Sequence, residues 1–143
     1  MIQIRMMKKS DVKSVDQMLR EDQLEFEALF LEIEQCFVVE DGSRICGLSG
    51  YRQLEEEKAE LVYLYIREED RGFKLGDGLL RATLNHLDHK KIRQIYITSN
   101  ERTDGFFVAE GLEIAMKSGE NLVFRAELPD FFNTPCKSSR GNA

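Results

Sequence analysis

Two segments rich in β-branched and aromatic residues, residues 60–66 (Glu-Leu-Val-Tyr-Leu-Tyr-Ile) and 94–98 (Gln-Ile-Tyr-Ile-Thr), flank a charged, glycine-bearing loop and one amphipathic stretch. Each segment reads as a strand, because such side chains suit a pleated, half-buried surface. Between them, residues 76–90 place Leu79, Leu80, Leu84 and Leu87 on a single helical face. A crossover of this length lets the second strand run parallel to the first, which a tight hairpin cannot do. The spacing therefore predicts an α/β protein whose sheet holds at least one parallel pair.

The rest of the chain reads as antiparallel. Ile2, Ile4 and Met6 alternate with Gln3 and Arg5, a short first strand. Ser10-Asp11 offers an N-cap for a helix with Val12, Val15, Met18 and Leu19 at helical spacing. A second helical stretch carries Leu24, Leu29, Phe30 and Ile33. Residues 36–39 read as a strand, Asp41-Gly42 as a hairpin turn, and residues 44–53 as the returning strand. Glu55, Glu56, Glu57 and Lys58 form a polar turn. Residues 102–110 read as a short helix closed by Gly111, followed by an antiparallel pair over 112–116 and 122–128. After Pro129 comes a polar tail with Phe131-Phe132 as its apolar feature.

A chain of 143 residues fits one domain. Its net charge of −6 argues against a nucleic-acid partner, since phosphate neutralisation needs clustered Lys and Arg. The same charge suits a cationic substrate. No apolar run approaches the ~20 residues of a membrane helix, and the start lacks a secretory apolar segment, so a cytoplasmic protein with no membrane partner is expected. Cys36, Cys46 and Cys136 are odd in number and widely spaced, with His86 and His89 the chain's histidines. That pattern points to reduced thiols and to no metal site.

The loop itself is the most informative segment. Arg71-Gly72-Phe73-Lys74-Leu75-Gly76-Asp77-Gly78 leaves a strand and runs straight into a helix. Such a junction presents unpaired backbone N–H groups and the positive end of the helix dipole, a natural place for a pyrophosphate. Glycines let a ligand approach the backbone, and Arg71 and Lys74 add positive charge. The spacing is neither that of a Walker A loop nor Gly-x-Gly-x-x-Gly. Read from the residues alone, a tight strand-to-helix turn without a ligand remains the alternative.

These residues resemble motif A of the GNAT superfamily of acetyl-CoA-dependent N-acetyltransferases, Arg/Gln-x-x-Gly-x-Gly/Ala. Arg71 matches the first position and Gly76 the last, while Lys74 stands where the middle glycine belongs. Ala59-Glu60-Leu61-Val62 resembles the start of the motif-bearing strand in the histone-acetylating branch. Asn100 lies seven residues before Phe107, the family's spacing from that Asn to its aromatic position. Phe106-Phe107 with Gly111-Leu112 resembles the end of the family's last helix. The resemblance covers residues 1–128, leaving 129–143 as a tail expected to be disordered or folded onto the acceptor site.

The resemblance implies a GNAT-type mixed, mostly antiparallel sheet with a parallel splayed pair and helices on both faces. It implies acetyl-CoA as co-substrate, bound by Arg71, Gly72, Phe73, Lys74, Leu75, Gly76 and Asp77 at the pyrophosphate, by Leu64 and Ile66 along the pantetheine arm, and by Asn100. Phe107 joins this set at the family's aromatic position but has no hydroxyl to protonate the leaving thiolate. Tyr65, Tyr63 and Tyr96 are the substitutes to test, with Tyr65 preferred. The backbone N–H near Ile66 would polarise the thioester carbonyl. Glu60 matches the catalytic base, and apolar neighbours would raise its affinity for a proton.

The acceptor implied is a small-molecule or peptide amine. Glu21, Asp22, Glu25, Glu27, Glu32 and Glu34 read either as an acidic entrance that favours a cationic one or as a solvated helix face. Monomer and homodimer are both open. The rival reading is a non-catalytic acyl-CoA-binding module, favoured by Phe107 and Lys74.

Overall fold

The computed structural model describes residues 1–24 and 32–133. Leu29, Phe30, Glu25, Glu27 and Cys136 lie outside them. Seven strands are present among the described residues: β1 (Ile2–Met6), β2 (Cys36–Asp41), β3 (Arg44–Glu55), β4 (Lys58–Ile66), β5 (Gln94–Thr98), β6 (Glu113–Ser118) and β7 (Asn121–Glu127). The helices are α1 (Val12–Glu21), α2 (Leu75–His89) and α3 (Asp104–Ala109). The strand order is β1-β2-β3-β4-β5-β7-β6. β4 and β5 are parallel, as the crossover through α2 requires, and the pairs β1–β2, β2–β3, β5–β7 and β6–β7 are antiparallel. This is the expected mixed sheet.

The chain divides into two compact units, residues 1–52 with 62–86, and residues 53–61 with 87 onward. In the first unit, helices cover both faces of the strands. Val15, Met18 and Leu19 of α1 pack with Cys36, Val38, Ile45, Leu48 and Tyr63. Leu79 of α2 packs with Phe37, Val39, Cys46 and Ile66. The inner face of α2 is as expected: Leu79, Leu80, Leu84 and Leu87 are fully buried. Val12 is the first residue of α1, in keeping with its helical spacing, and is exposed; the buried stripe begins one turn later at Val15. Asp11 stands at the N-cap of α1 as expected, but its side chain is used elsewhere. Its carboxylate makes no cap bond to α1 and instead accepts from the Lys8 N–H at 2.7 Å and from both Arg5 Nη atoms, at 2.7 and 2.9 Å.

Tight packing beneath the end of β4 comes from one glycine. A Cβ on Gly47 would stand 2.7 Å from Ile66 Cδ1, 2.9 Å from Val39 Cγ2 and 3.1 Å from the Tyr65 carbonyl oxygen. Gly47→Ala is expected to destabilise the chain by about 1–3 kcal/mol, the usual cost of overpacking. A urea midpoint lowered at unchanged slope checks it. A midpoint at or above that of the unaltered chain would show that Tyr65 and Ile66 yield freely.

The second unit holds the β5-β7-β6 ladder and α3. Ile95, Ile97, Phe124 and Ala126 alternate inward along β5 and β7 and are buried. Gly111 closes the α3 segment at φ +88°, in the left-handed region that favours glycine. Residues Asp130–Asn133 form a single 3-10 turn in which Phe131 is buried. None of the described helices is long and apolar enough to cross a membrane.

Candidate active site

The pairing of β4 with β5 runs from Lys58↔Gln94 to Leu61↔Ile97 and stops there. β4 itself continues through Val62, Tyr63, Leu64 and Tyr65 to Ile66. The last part of β4 thus carries a strand edge that β5 does not fill, on the residues expected to meet an extended ligand arm. An added strand of backbone hydrogen bonds is what such an edge can accept.

The loop that follows is built by its charges and by two unusual backbone positions. Residues Glu68–Asp70 form a 3-10 turn. The Arg67 N–H donates to the Cys46 carbonyl at 2.9 Å, and Arg44 pairs with Asp70 at 2.9 Å, which ties the turn to β3. Gly72 has φ +90° and Lys74 φ +61°, after which α2 begins at Leu75. The first N–H groups of a helix have no partner inside it, so the α2 start offers donors and positive potential. Asp77 sits in this first turn, but its carboxylate accepts from Arg81 Nε at 2.9 Å, which offsets its charge. Gly78 serves packing: a Cβ there would meet Ile4 Cδ1 at 2.9 Å.

Lys74 explains its own departure from the motif. Its backbone is in the left-handed region, the conformation a glycine adopts without strain and other residues adopt at a cost of ~1–3 kcal/mol. Lys74→Gly is expected to raise stability by about 1 kcal/mol, the relief of strain less the entropy a glycine loses on folding. The check is the urea midpoint; a lower midpoint would mean the lysine side chain stabilises the loop by more than its backbone costs.

Arg71 does not simply project into solvent. Its Nε donates to the Ile66 carbonyl at 2.8 Å, and its guanidinium lies 5.5 Å from the Tyr65 ring centroid. Tyr65 in turn donates its hydroxyl proton to Asp22, which also receives Arg67 Nη2 at 3.0 Å. Asp22 and Arg67 are the residues that sequence reasoning missed in this role. They lie 43 and 45 residues apart in sequence from the partners they meet here, and no local signal links them. Burial, and then the bond to Asp22, push the Tyr65 hydroxyl up to about 12. Tyr65 therefore stays protonated at neutral pH.

The other hydroxyls expected near the chemistry are also engaged. Tyr63 is buried against the Cys36 thiol, 3.5 Å away; desolvation first holds the Tyr63 hydroxyl well above its usual value and also raises the thiol. The Cys46 thiol is raised by burial too. Neither thiol is a ready thiolate. Among the described residues no cluster of three or more His, Cys, Asp or Glu side chains could hold a metal.

Glu60, Asn100 and Phe107 belong to the second unit. Glu60 is half-buried on β4, in register with Tyr96 of β5. Tyr96 donates its hydroxyl to Gln94 at 3.2 Å. Asn100 is exposed, and its Oδ1 accepts from the N–H groups of Arg102 and Thr103 at 2.9 and 3.2 Å, organising the turn before α3. Its amide NH2 donates to no group among the described residues. Phe107 is buried between Phe106 and Phe124, at ring-centroid distances of 5.2 and 5.5 Å. A small depression of about 130 Å³ in this unit, lined in part by Leu112, Arg125 and Phe131, includes none of these three.

Of the acids expected at an acceptor entrance, Asp22 and Glu21 face Arg67, at 3.0 and 3.8 Å. Part of their charge is therefore offset. Glu32 and Glu34 are exposed.

A family model described as the Acetyltransferase (GNAT) family matches residues 4–111. Among solved structures, N-acetylglutamate synthase from Neisseria gonorrhoeae, complexed with coenzyme A and N-acetyl-glutamate, is similar with a TM-score of 0.75 at 17% identity, over 90% of this chain and 35% of that one. The chain thus spans about a third of that protein's length. PaiA N-acetyltransferase from Thermoplasma acidophilum, in complex with coenzyme A, is similar with a TM-score of 0.73 at 17% identity, over 89% and 99% of the two chains. Ard1 from Thermoplasma volcanium gives 0.73 at 15% identity, over 88% and 97%. Identities this low speak for a shared fold. No curated protein was found to match the chain.

Proposed function

The chain belongs to the GNAT acetyltransferase family, and from that premise we propose that it transfers the acetyl group of acetyl-CoA to a primary amine by direct attack in a ternary complex. The observation that carries this reading is the end of β4. The strand runs past its last pairing with β5 and delivers the chain, through two left-handed positions at Gly72 and Lys74, to the start of α2. That arrangement suits a ligand with an extended amide-bearing arm and a pyrophosphate.

In this reading the N–H groups from Gly72 to Asp77 hold the pyrophosphate, and the edge at Leu64 and Ile66 pairs with the pantetheine arm. The Asn100 amide donates to the same arm, and Phe107 supplies an apolar wall. The Ile66 N–H polarises the thioester carbonyl. Glu60 accepts the proton of the acceptor ammonium. The amine nitrogen then forms the new C–N bond, the C–S bond breaks, and the thiolate takes a proton. Tyr65, next to Ile66, has a proton to give, but delivering it means breaking the bond to Asp22. A thiol with an ordinary pKa near ~8.5 can also leave with a proton from the intermediate's ammonium or from water. The step makes no acyl-enzyme, so the raised thiols of Cys36 and Cys46 are no obstacle.

The reading takes residues 1–128 as the acyl-transfer domain and the cytoplasm as its place of work. The acceptor is a small-molecule or peptide amine, and the exposed carboxylates of Glu32 and Glu34 favour a cationic one. Thiol release from acetyl-CoA, measured across amino acids, polyamines and peptides with free N-termini or lysines, tests the proposal. Amine-dependent release is expected. The second reading, a module that binds acyl-CoA without turning it over, is favoured by the buried Phe107 in place of a hydroxyl-bearing residue. Binding without amine-dependent release across the panel would select it.

A further inference from the structure

After Met1, Phe73 is the most exposed large apolar side chain among the described residues, at 71%. It forgoes the burial that a phenylalanine ordinarily gains. The backbone holds it in this state. Gly72 and Lys74 on either side are both left-handed, while Leu75, two residues on, turns inward against the cluster of Ile66 and Leu79. The ring is thus displayed on the same loop whose N–H groups would hold an anion in the CoA reading, with a lysine beside it. An anion site next to an open aromatic face is the chemistry of a nucleotide: phosphates for the donors, a base for the ring.

The CoA reading, on which this inference rests, leaves one part of the ligand without a partner. The β4 edge is assigned to the pantetheine arm and the start of α2 to the pyrophosphate, which leaves the adenine unassigned. We propose that Phe73 is the adenine platform of this chain, stacking its exposed face on the base while Lys74 adds positive charge for the phosphates. Phe73 then sets donor specificity. It favours acyl groups carried on a nucleotide over the same groups carried on phosphopantetheine alone, as on a carrier protein.

The chain contains no tryptophan, so Phe73→Trp would introduce a single fluorescent reporter at the platform. Its emission is expected to be quenched by CoA and by adenosine bisphosphate, and not by phosphopantetheine. Phe73→Ala and Phe73→Leu, followed by calorimetry, are expected to weaken CoA by roughly 5-fold or more, within the range of one base–aromatic stack, while phosphopantetheine affinity stays unchanged. Phe73→Trp should retain CoA affinity. Binding of CoA at equal strength by all these variants, without quenching, would overturn the platform and leave the site reading standing. So would an altered oligomeric state in Phe73→Ala with CoA affinity intact, which would make the ring a protein contact. Failure of the unaltered chain to bind CoA would instead remove the site reading, and the platform with it.

Discussion

Replacing Glu60 by Gln is expected to lower amine-dependent turnover by about 10²–10⁴-fold, the usual contribution of a positioned base, and to leave acetyl-CoA affinity essentially unchanged. The acceptor amine arrives protonated at neutral pH and must lose a proton before it can attack. Gln keeps the shape of Glu60 and its place on β4, in register with Tyr96, but cannot take that proton. The loss should be larger for a lysine side chain, with its pKa near ~10.4, than for an α-amine near ~7.7–8.0. Raising the pH should therefore recover part of the variant's rate, because solvent then removes the proton. Steady-state thiol release against pH, with calorimetry for CoA, separates the outcomes. Equal turnover in the two proteins would remove Glu60 from the chemistry. Equal loss of turnover and of CoA affinity would make it structural.

Asp11→Ala should cost about 2–4 kcal/mol of stability at neutral pH, a little under the ~3–5 kcal/mol for removing one partner from a fully buried ion pair, because Arg5 keeps a second carboxylate. Asp11 and Arg5 side chains are only 9% and 14% exposed. Without Asp11, Arg5 keeps Glu40 at 3.0 Å, and the Lys8 N–H loses its acceptor. The pair also reaches the site: α1 begins just after Asp11 and ends just before Asp22, which holds Tyr65 and Arg67. The pH dependence has a definite sign. The hydrogen bonds from Arg5 hold the Asp11 carboxyl below its usual range. A depressed carboxylate contributes stability above its unfolded pKa of ~3.9 and loses it as pH falls through the folded value. The gap between the two proteins in urea unfolding should thus be full at neutral pH and shrink below about pH 4. A gap that is small at pH 7 or grows in acid would contradict this role.

What could be read in advance, and what could not, divides by range in sequence. The α2 stripe and the strand 94–98 were legible because periodicity and length are local properties, and the structure returns them nearly residue for residue. The parallel pairing followed from the length of the crossover. The order β5-β7-β6 did not follow, because strands 113–118 and 121–127 form a hairpin whichever of the two neighbours β5. Within the site, Gly72, Lys74 and Gly76 were legible as a motif, and Lys74 as its exception. The left-handed backbone at Lys74, which gives that exception its cost, is a property of the folded loop. The links of Asp22 to Tyr65 and Arg67 and of Arg71 to the Ile66 carbonyl were out of reach: the first joins residues far apart in the chain, and the second turns on which way one flexible side chain folds. Asn100 was legible by its spacing, but its use of Oδ1 to shape the turn before α3 was not.

The central claim is that backbone N–H groups at the start of α2 and along the end of β4 take acetyl-CoA. A titration of the isotope-labelled chain with acetyl-CoA, followed through its amide resonances, observes those groups one by one. The expected result is saturable, one-to-one movement concentrated in the amides of Leu64, Ile66, Gly72, Lys74, Gly76 and Asp77. No movement at millimolar acetyl-CoA, or saturable movement confined to residues outside these two segments, would contradict it.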